Sequence, residues 1–97
     1  MKTEIYEEVI KLPASQTVET VKFLHDEIKH HFGRLGPIHV DASLIETIDT
    51  ASLQLLAILF ISARQRNKSI TLHEPSQYFL TACRLLGISR LFGLPVS

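Results

Sequence analysis

The chain alternates between short runs with strand-like spacing and longer runs with helical spacing. The first run covers residues 4–12, places apolar side chains between polar ones and ends at Pro13, as expected for a strand. Apolar residues at steps of three and four then predict a helix that is capped by Ser15 or Thr17. The apolar stripe of that helix consists of Val18, Val21, Leu24, Ile28 and Phe32. The glycines and the proline within residues 33–37 end the helix.

The rest of the chain continues this alternation of strands and helices. Leu, Ala and Gln dominate the central helix, whose apolar run is too long for an ordinary strand. The predicted elements are a strand at 38–42, a loop at 43–47, a helix at 51–66, a strand at 69–73, a helix from Pro75–Ser76 to Gly87 and a short helix at 89–92.

The order of these elements is β-α-β-α-β-α with a final short helix, which predicts an α/β fold. Strands that alternate with helices pair in parallel through right-handed crossovers. A chain of 97 residues has room for one small domain, which we expect to cover residues 1–97. We therefore expect a small mixed, mostly parallel sheet of about four strands, with helices mainly on one face.

The central helix is apolar nearly all round, and this leaves its outer face undefined. Residues 55–61 form an unbroken apolar run, whereas a helix on one face of a small sheet usually shows a polar side. Either the fourth helix and the chain ends cover this surface, or part of it is a docking surface for a partner or for a second copy in a homodimer. Both outcomes are compatible on opposite faces of the helix.

Composition excludes several classes of function. Ten Lys and Arg residues balance ten Asp and Glu residues, so net charge gives no electrostatic reason to bind nucleic acid or anionic lipid. The longest apolar run is far below the ~20 residues needed to cross a bilayer, and the N-terminus lacks the apolar segment of a signal peptide. One cysteine, Cys83, excludes an internal disulfide and fits a reducing compartment. We expect a cytoplasmic protein with no direct membrane insertion.

The most informative residues are Asp49 and Thr50, at the start of the central helix. Either side chain can cap the helix by accepting a hydrogen bond from an early backbone N–H. The same hydroxyl is also a plausible phosphorylation site, because the N-terminus of a helix tolerates a phosphate. Residues at helical steps after this point predict an outward contact stripe. That stripe consists of Leu53, Gln54, Ala57 and Ile61, and Ser52 lies beside it.

Other reactive side chains do not form a recognisable site. The five histidines lack metal-ligand spacing, so we expect neither a metal nor a cofactor. Cys83 lies on the apolar stripe of the third helix and is expected to be a buried thiol. His39 and His73 are expected to be partly buried at one end of the sheet. Together with Asp49 they leave open a small enzyme or a ligand-binding protein, which is the least favoured class.

Four segments in order resemble the STAS domain family, which includes the bacterial anti-sigma factor antagonists. They are residues 48–56 (IDTASLQLL), 69–72 (SITL), 75–76 (PS) and 85–92 (LLGISRLF). The resemblance implies a small sheet flanked by helices, and a protein-interaction module instead of an enzyme. In the antagonists an Asp precedes a phosphorylatable Ser, which is followed by Ser or Thr and then by Gly. Here Asp49 matches the Asp, Thr50 occupies the phosphoacceptor position and Ser52 replaces the usual Gly.

The resemblance implies three classes of protein partner. An anti-sigma, kinase-like protein is the partner of the antagonists, and a chemotaxis or signalling component is the partner of stand-alone members. In a further branch, the domain is the cytoplasmic subunit of a phospholipid-transporting ABC complex, and the Thr at the position of Thr50 supports contact with the ATPase. All three place the partner at the start of the central helix.

Overall fold

The computed structural model describes residues 9–31 and 36–95. The predictions for residues 4–8 and for the turn at 32–35 therefore lie outside the described residues. The elements are β1 (Val9–Lys11), β2 (Ser15–Gln16), α1 (Val18–His31), β3 (Ile38–Asp41), β4 (Thr47–Ile48), α2 (Thr50–Gln65), β5 (Ile70–His73), α3 (Gln77–Leu86) and a 3-10 helix (Ser89–Phe92).

The α/β fold class is confirmed, and the strand arrangement differs in detail from the prediction. β1, β3 and β5 form one sheet in that order, and β2 pairs with β4 in a second, two-stranded sheet. All of these pairs are parallel, with Val9 opposite His39 and Ile38 opposite Ile70. The described part of the chain thus has five strands in two sheets, where about four in one mixed sheet were expected. β2 and β4 have only two residues each, which is too short for an alternation of apolar and polar residues. The sequence therefore predicted a helix cap at the position of β2 and a loop at the position of β4.

The strand order explains why the helices share one face of the main sheet. From β1 to β3 to β5 the chain advances across the sheet in one direction, and right-handed crossovers then put α1 and α2 on the same side. The two helices contact each other. α2 also contacts the 3-10 helix of the C-terminal segment.

The core lies between this sheet and α2, and it covers most of the apolar helix. Ile38 and Val40 of the central strand are buried, while the alternating residues His39 and Asp41 are half-buried on the other face. The fully buried rings of Phe60 and Phe79 both meet the ring of Phe92 edge-on. Seven residues of α2 are buried, namely Ser52, Leu53, Leu56, Ala57, Leu59, Phe60 and Ala63. Burial within one copy therefore accounts for most of the apolar side chains of α2, and Ile58 is its large exposed apolar residue.

The face of the sheet away from α1 and α2 brings two histidines together. Nδ1 of His39 and Nε2 of His73 lie 2.6 Å apart, on neighbouring strands. Both side chains are half-buried, as the sequence indicated. Within the described residues, no group of three or more His, Cys, Asp or Glu side chains could hold a metal ion.

Candidate functional site

The start of α2 lies at the end of the main sheet where the strands terminate. The chain leaves the carboxyl end of β3, forms β4 and then returns along α2 to the start of the parallel strand β5. The first turn of α2 therefore lies at the carboxyl ends of the strands. α3 begins at the same end, because the Ser76 amide donates to the Ala42 carbonyl at 3.1 Å. This edge of an open parallel sheet is where binding sites usually form.

Asp49 caps α2, and it is one of the two residues, Asp49 and Thr50, that the sequence predicted as the cap. Its backbone is extended (φ −82°, ψ 165°), and its carboxylate accepts a hydrogen bond from the Ser52 amide at 2.7 Å. The Asp49 carbonyl accepts the first bond within the helix, from the Leu53 amide at 3.0 Å. The carboxylate is thereby fixed over the N-terminus of the helix, where the partial positive charge of the dipole favours it.

Ser52 sets the protonation of this carboxylate. The hydrogen bond from the Ser52 amide holds the pKa of Asp49 below its usual value. The Ser52 hydroxyl makes no hydrogen bond to the described residues. A lowered pKa means that the cap contributes fully above the ordinary pKa and is lost as the pH falls through the lowered one. The site therefore carries a fixed negative charge at neutral pH.

Thr50 is the first residue of α2 and is exposed to solvent. Gln54, one turn further on, is also exposed. Because residues four apart lie on the same side of a helix, both side chains face solvent on that side. Thr50 and Gln54 are thus brought together with Asp49 in one accessible surface, which we call the α2-start surface.

The rest of the predicted contact stripe is wrong in its orientation. Ser52, Leu53 and Ala57 are 0%, 1% and 3% exposed, so none of them reaches a partner in this fold. Leu53 and Ala57 follow each other at a helical step, but the stripe they define is the one that α2 turns toward the core. Ile61 is half-buried and lies near the other end of α2.

The loop before α2 contains features that sequence reasoning missed. Leu44 is 53% exposed, although it is a large apolar residue. The Ala14 carbonyl accepts hydrogen bonds from the amides of Glu46 and Thr47, and the hydroxyls of Ser15 and Thr47 are 3.2 Å apart. The β2–β4 pair thus holds the loop against the first part of the chain. Leu44 and Ile45 are adjacent apolar residues in this loop, and only the folded loop decides that Ile45 is buried and Leu44 exposed.

Cys83 is buried in α3, and it is not a candidate nucleophile. Burial raises the pKa of its thiol to about 11, so the reactive thiolate is scarce at neutral pH. The structure thus agrees with the interpretation of this residue as part of the core.

Replacing a serine with alanine is expected to change the free energy of unfolding in opposite directions at Ser76 and Ser52. Ser76 caps α3 by accepting a hydrogen bond from the Phe79 amide at 3.1 Å, so Ser76→Ala should lower the free energy of unfolding by about 1 kcal/mol. Ser52→Ala removes a buried hydroxyl without a partner, and should raise that free energy by up to about 1 kcal/mol. Urea denaturation followed by circular dichroism measures both. A loss of about 1 kcal/mol at Ser52 would mean that its hydroxyl makes a stabilising bond.

Comparison with known proteins assigns the chain to a family. The family model described as "Mlab, STAS domain" matches residues 4–94 of the chain. A search of curated proteins found no significant match. Among the described residues, no helix is long and apolar enough to cross a membrane.

Proposed function

Because this chain belongs to the STAS domain family, whose members are generally regulatory protein-interaction modules, we propose that it binds a protein partner through the α2-start surface. Asp49 fixes a negative charge there, and Thr50 and Gln54 supply hydrogen-bonding groups. Leu44, exposed in the preceding loop, supplies an apolar contact. The proposed activity is binding and not catalysis.

One observation carries this proposal. The Thr50 side chain is exposed at the first turn of α2, next to a carboxylate held by the Ser52 amide at 2.7 Å. The core does not require the Thr50 side chain, whereas Ser52 and Leu53, the two residues after Ala51, are buried. A substitution or modification at Thr50 therefore changes the surface and leaves the packing intact.

This position suits a switch based on phosphorylation. A phosphate on Thr50 adds roughly −1.5 to −2 charges, and the amides of the first helical turn tolerate them. The same charge adds to that of Asp49 and opposes a partner that approaches with apolar or acidic groups. Phosphorylation would then lower affinity without unfolding the domain. Under this proposal the partner is an anti-sigma, kinase-like protein or a chemotaxis or signalling component.

A second candidate function needs no phosphate. Ser52 stands where the antagonists have glycine, which favours a direct contact through Thr50 over modification by a kinase. The chain would then be the cytoplasmic subunit of a phospholipid-transporting ABC complex, with Thr50 hydrogen-bonded to the ATPase. This candidate predicts a stable complex with the ATPase and no phosphate on Thr50 in the purified protein.

Affinity measurements on matched threonine variants test the proposal. The tagged wild-type protein is purified from its native cells, its partner is identified by mass spectrometry, and the two are titrated by calorimetry. We expect Thr50→Glu to weaken binding at least tenfold, which corresponds to ~1.4 kcal/mol. Thr81→Glu, at an exposed position of α3, is the matched control and should bind like wild type.

Two further results separate the candidates. Under the switch, Thr50→Ala keeps the affinity, and incubation with the partner and ATP adds the mass of one phosphate to the wild type alone. Under direct contact, Thr50→Ala weakens binding and no mass is gained. Equal affinity of wild type, Thr50→Ala and Thr50→Glu would contradict both candidates.

A further inference from the structure

The zero net charge hides a strong segregation of charge along the chain. Nine of the ten acidic residues precede Thr50, and Glu74 is the single acidic residue after it. Five of the ten basic residues fall in that same second part of the chain, namely Arg64, Arg66, Lys68, Arg84 and Arg90. Opposite charges on different parts of one small protein create a dipolar surface that a net charge cannot reveal.

The C-terminal elements of the fold carry both exposed leucines and arginines. Arg64 reaches from α2 to the 3-10 helix, where its Nη1 donates to the Leu91 carbonyl at 2.6 Å. Arg84 lies in the last turn of α3, and Arg90 lies in the 3-10 helix itself. Between them Leu85 and Leu86 are 81% and 41% exposed. We call these five residues (Arg64, Arg84, Leu85, Leu86 and Arg90) the basic patch.

α1 carries a second exposed apolar residue with the opposite surroundings. Phe23 is 68% exposed. Glu19, Asp26 and Glu27 are four residues before it and three and four residues after it, which places them around its ring on the helix surface. Two cations adjoin these acidic residues: Lys22 is exposed beside Phe23 on α1, and Lys11 of β1 lines the same groove as Phe23 and Glu27. We call Phe23 with its three acidic neighbours the acidic patch.

The two patches cannot readily satisfy each other within one molecule. α2 contacts both α1 and the 3-10 helix, whereas α1, which carries the acidic patch, has no extensive contact with α3 or the 3-10 helix among the described residues. Each patch therefore presents an exposed apolar centre with a charged rim to solvent. Buried apolar centres with arginine-rich polar rims are typical of protein interfaces.

We propose that the basic patch of one copy of this chain docks on the acidic patch of a second copy. Leu85 and Leu86 would pack on Phe23, and the arginines would pair with Glu19, Asp26 and Glu27. The charge complementarity of the two patches is the reason to choose a second copy as the occupant. The α2-start surface takes no part in this contact, so the two proposals can fail separately.

The proposed contact is heterologous, because different surfaces of the two copies meet. Each copy keeps one unused patch after the first contact, and further copies can add until a ring closes. The charged rims are exposed, so salt screens their attraction. The protein should thus form species larger than a monomer at low ionic strength and high concentration, and dissociate as salt is added.

Sedimentation velocity on the purified full chain tests this contact. We expect the mean mass of wild type to rise with concentration at low salt, and Phe23→Ser and Leu85→Ser to remove that rise. Ile58→Ser is the matched control, because Ile58 is 55% exposed on α2 and belongs to neither patch. It should associate like wild type. Circular dichroism checks that each variant is folded.

Charge reversal gives a test that misfolding cannot imitate. Glu27→Lys spoils the acidic patch alone, and Arg84→Glu spoils the basic patch alone, so each variant should be monomeric. Mixed together, they should associate, because one retains an intact basic patch and the other an intact acidic patch. Three results would overturn the proposal: a monomeric wild type at low salt, association that Phe23→Ser and Leu85→Ser leave unchanged, or a monomer that binds anionic phospholipid vesicles through Leu85.

Discussion

Replacing Phe60 with alanine is expected to lower the free energy of unfolding by about 3–5 kcal/mol. Phe60 is fully buried in α2, and its ring centroid lies 4.9 Å from that of Phe92. The Arg64 guanidinium lies 6.0 Å from the centroid of the Phe60 ring. The substitution leaves a cavity between α2 and the 3-10 helix and removes the aromatic contact. Since small domains have a stability of about 5–15 kcal/mol, this single change should consume a large part of it.

Urea denaturation followed by far-ultraviolet circular dichroism measures this loss. Ile58→Ala is the matched control, because Ile58 lies on the same helix and is 55% exposed. Its effect should stay within about 0.5 kcal/mol, as for ordinary surface substitutions. A loss at Phe60 no larger than that at Ile58 would contradict the placement of Phe60 at the centre of the core.

Replacing Leu53 with aspartate is expected to unfold most of the protein. Leu53 is 1% exposed, so the change removes a core side chain and buries a carboxylate that has no partner there. Loss of a buried leucine alone costs about 2–5 kcal/mol, and the desolvated carboxylate adds to this. The expected result is the absence of a cooperative thermal transition, measured by circular dichroism.

The neighbouring residue provides the control for this second prediction. Gln54 is exposed, and an aspartate this close to the N-terminus of a helix interacts favourably with the dipole. Gln54→Asp should therefore keep the wild-type stability to within about 0.5 kcal/mol. If Leu53→Asp were folded and merely lost partner binding, Leu53 would be a contact residue, as the periodicity suggested, and its burial would be wrong.

The major elements of the fold could be predicted because their patterns are long. α1 and α2 have 14 and 16 residues, which is enough for helical spacing to be distinct from strand spacing. β3 and β5 alternate buried residues with half-buried or exposed ones over four positions each. β2 and β4 have two residues each, and a two-residue strand has no period to detect. Their pairing depends on the backbone of residues about thirty positions away.

The candidate site was predictable in its position and not in its orientation. An aspartate before an apolar helix indicates a cap, and Asp49 accepts the expected hydrogen bond from Ser52. The outward face of α2 could not be predicted in the same way. Because the helix is apolar nearly all round, spacing selects no single buried side, and only packing against α1 and the sheet decides that Leu53 points inward. The basic and acidic patches could not be predicted from the net charge, because a net charge does not show where the charged residues lie.

The parallel pairing of every described strand has a consequence for how the chain acquires its structure. Val9 pairs with His39, Ser15 with Thr47 and Ile38 with Ile70, so no described strand can pair with a neighbour in sequence. Contacts between residues far apart in sequence slow folding, because a long loop must close before they form. During synthesis β1 and β2 must wait until β3 and β4 have left the ribosome. The apolar helix α2 emerges after that, and Phe60 remains uncovered until its partner Phe92, in the 3-10 helix, has also been synthesised.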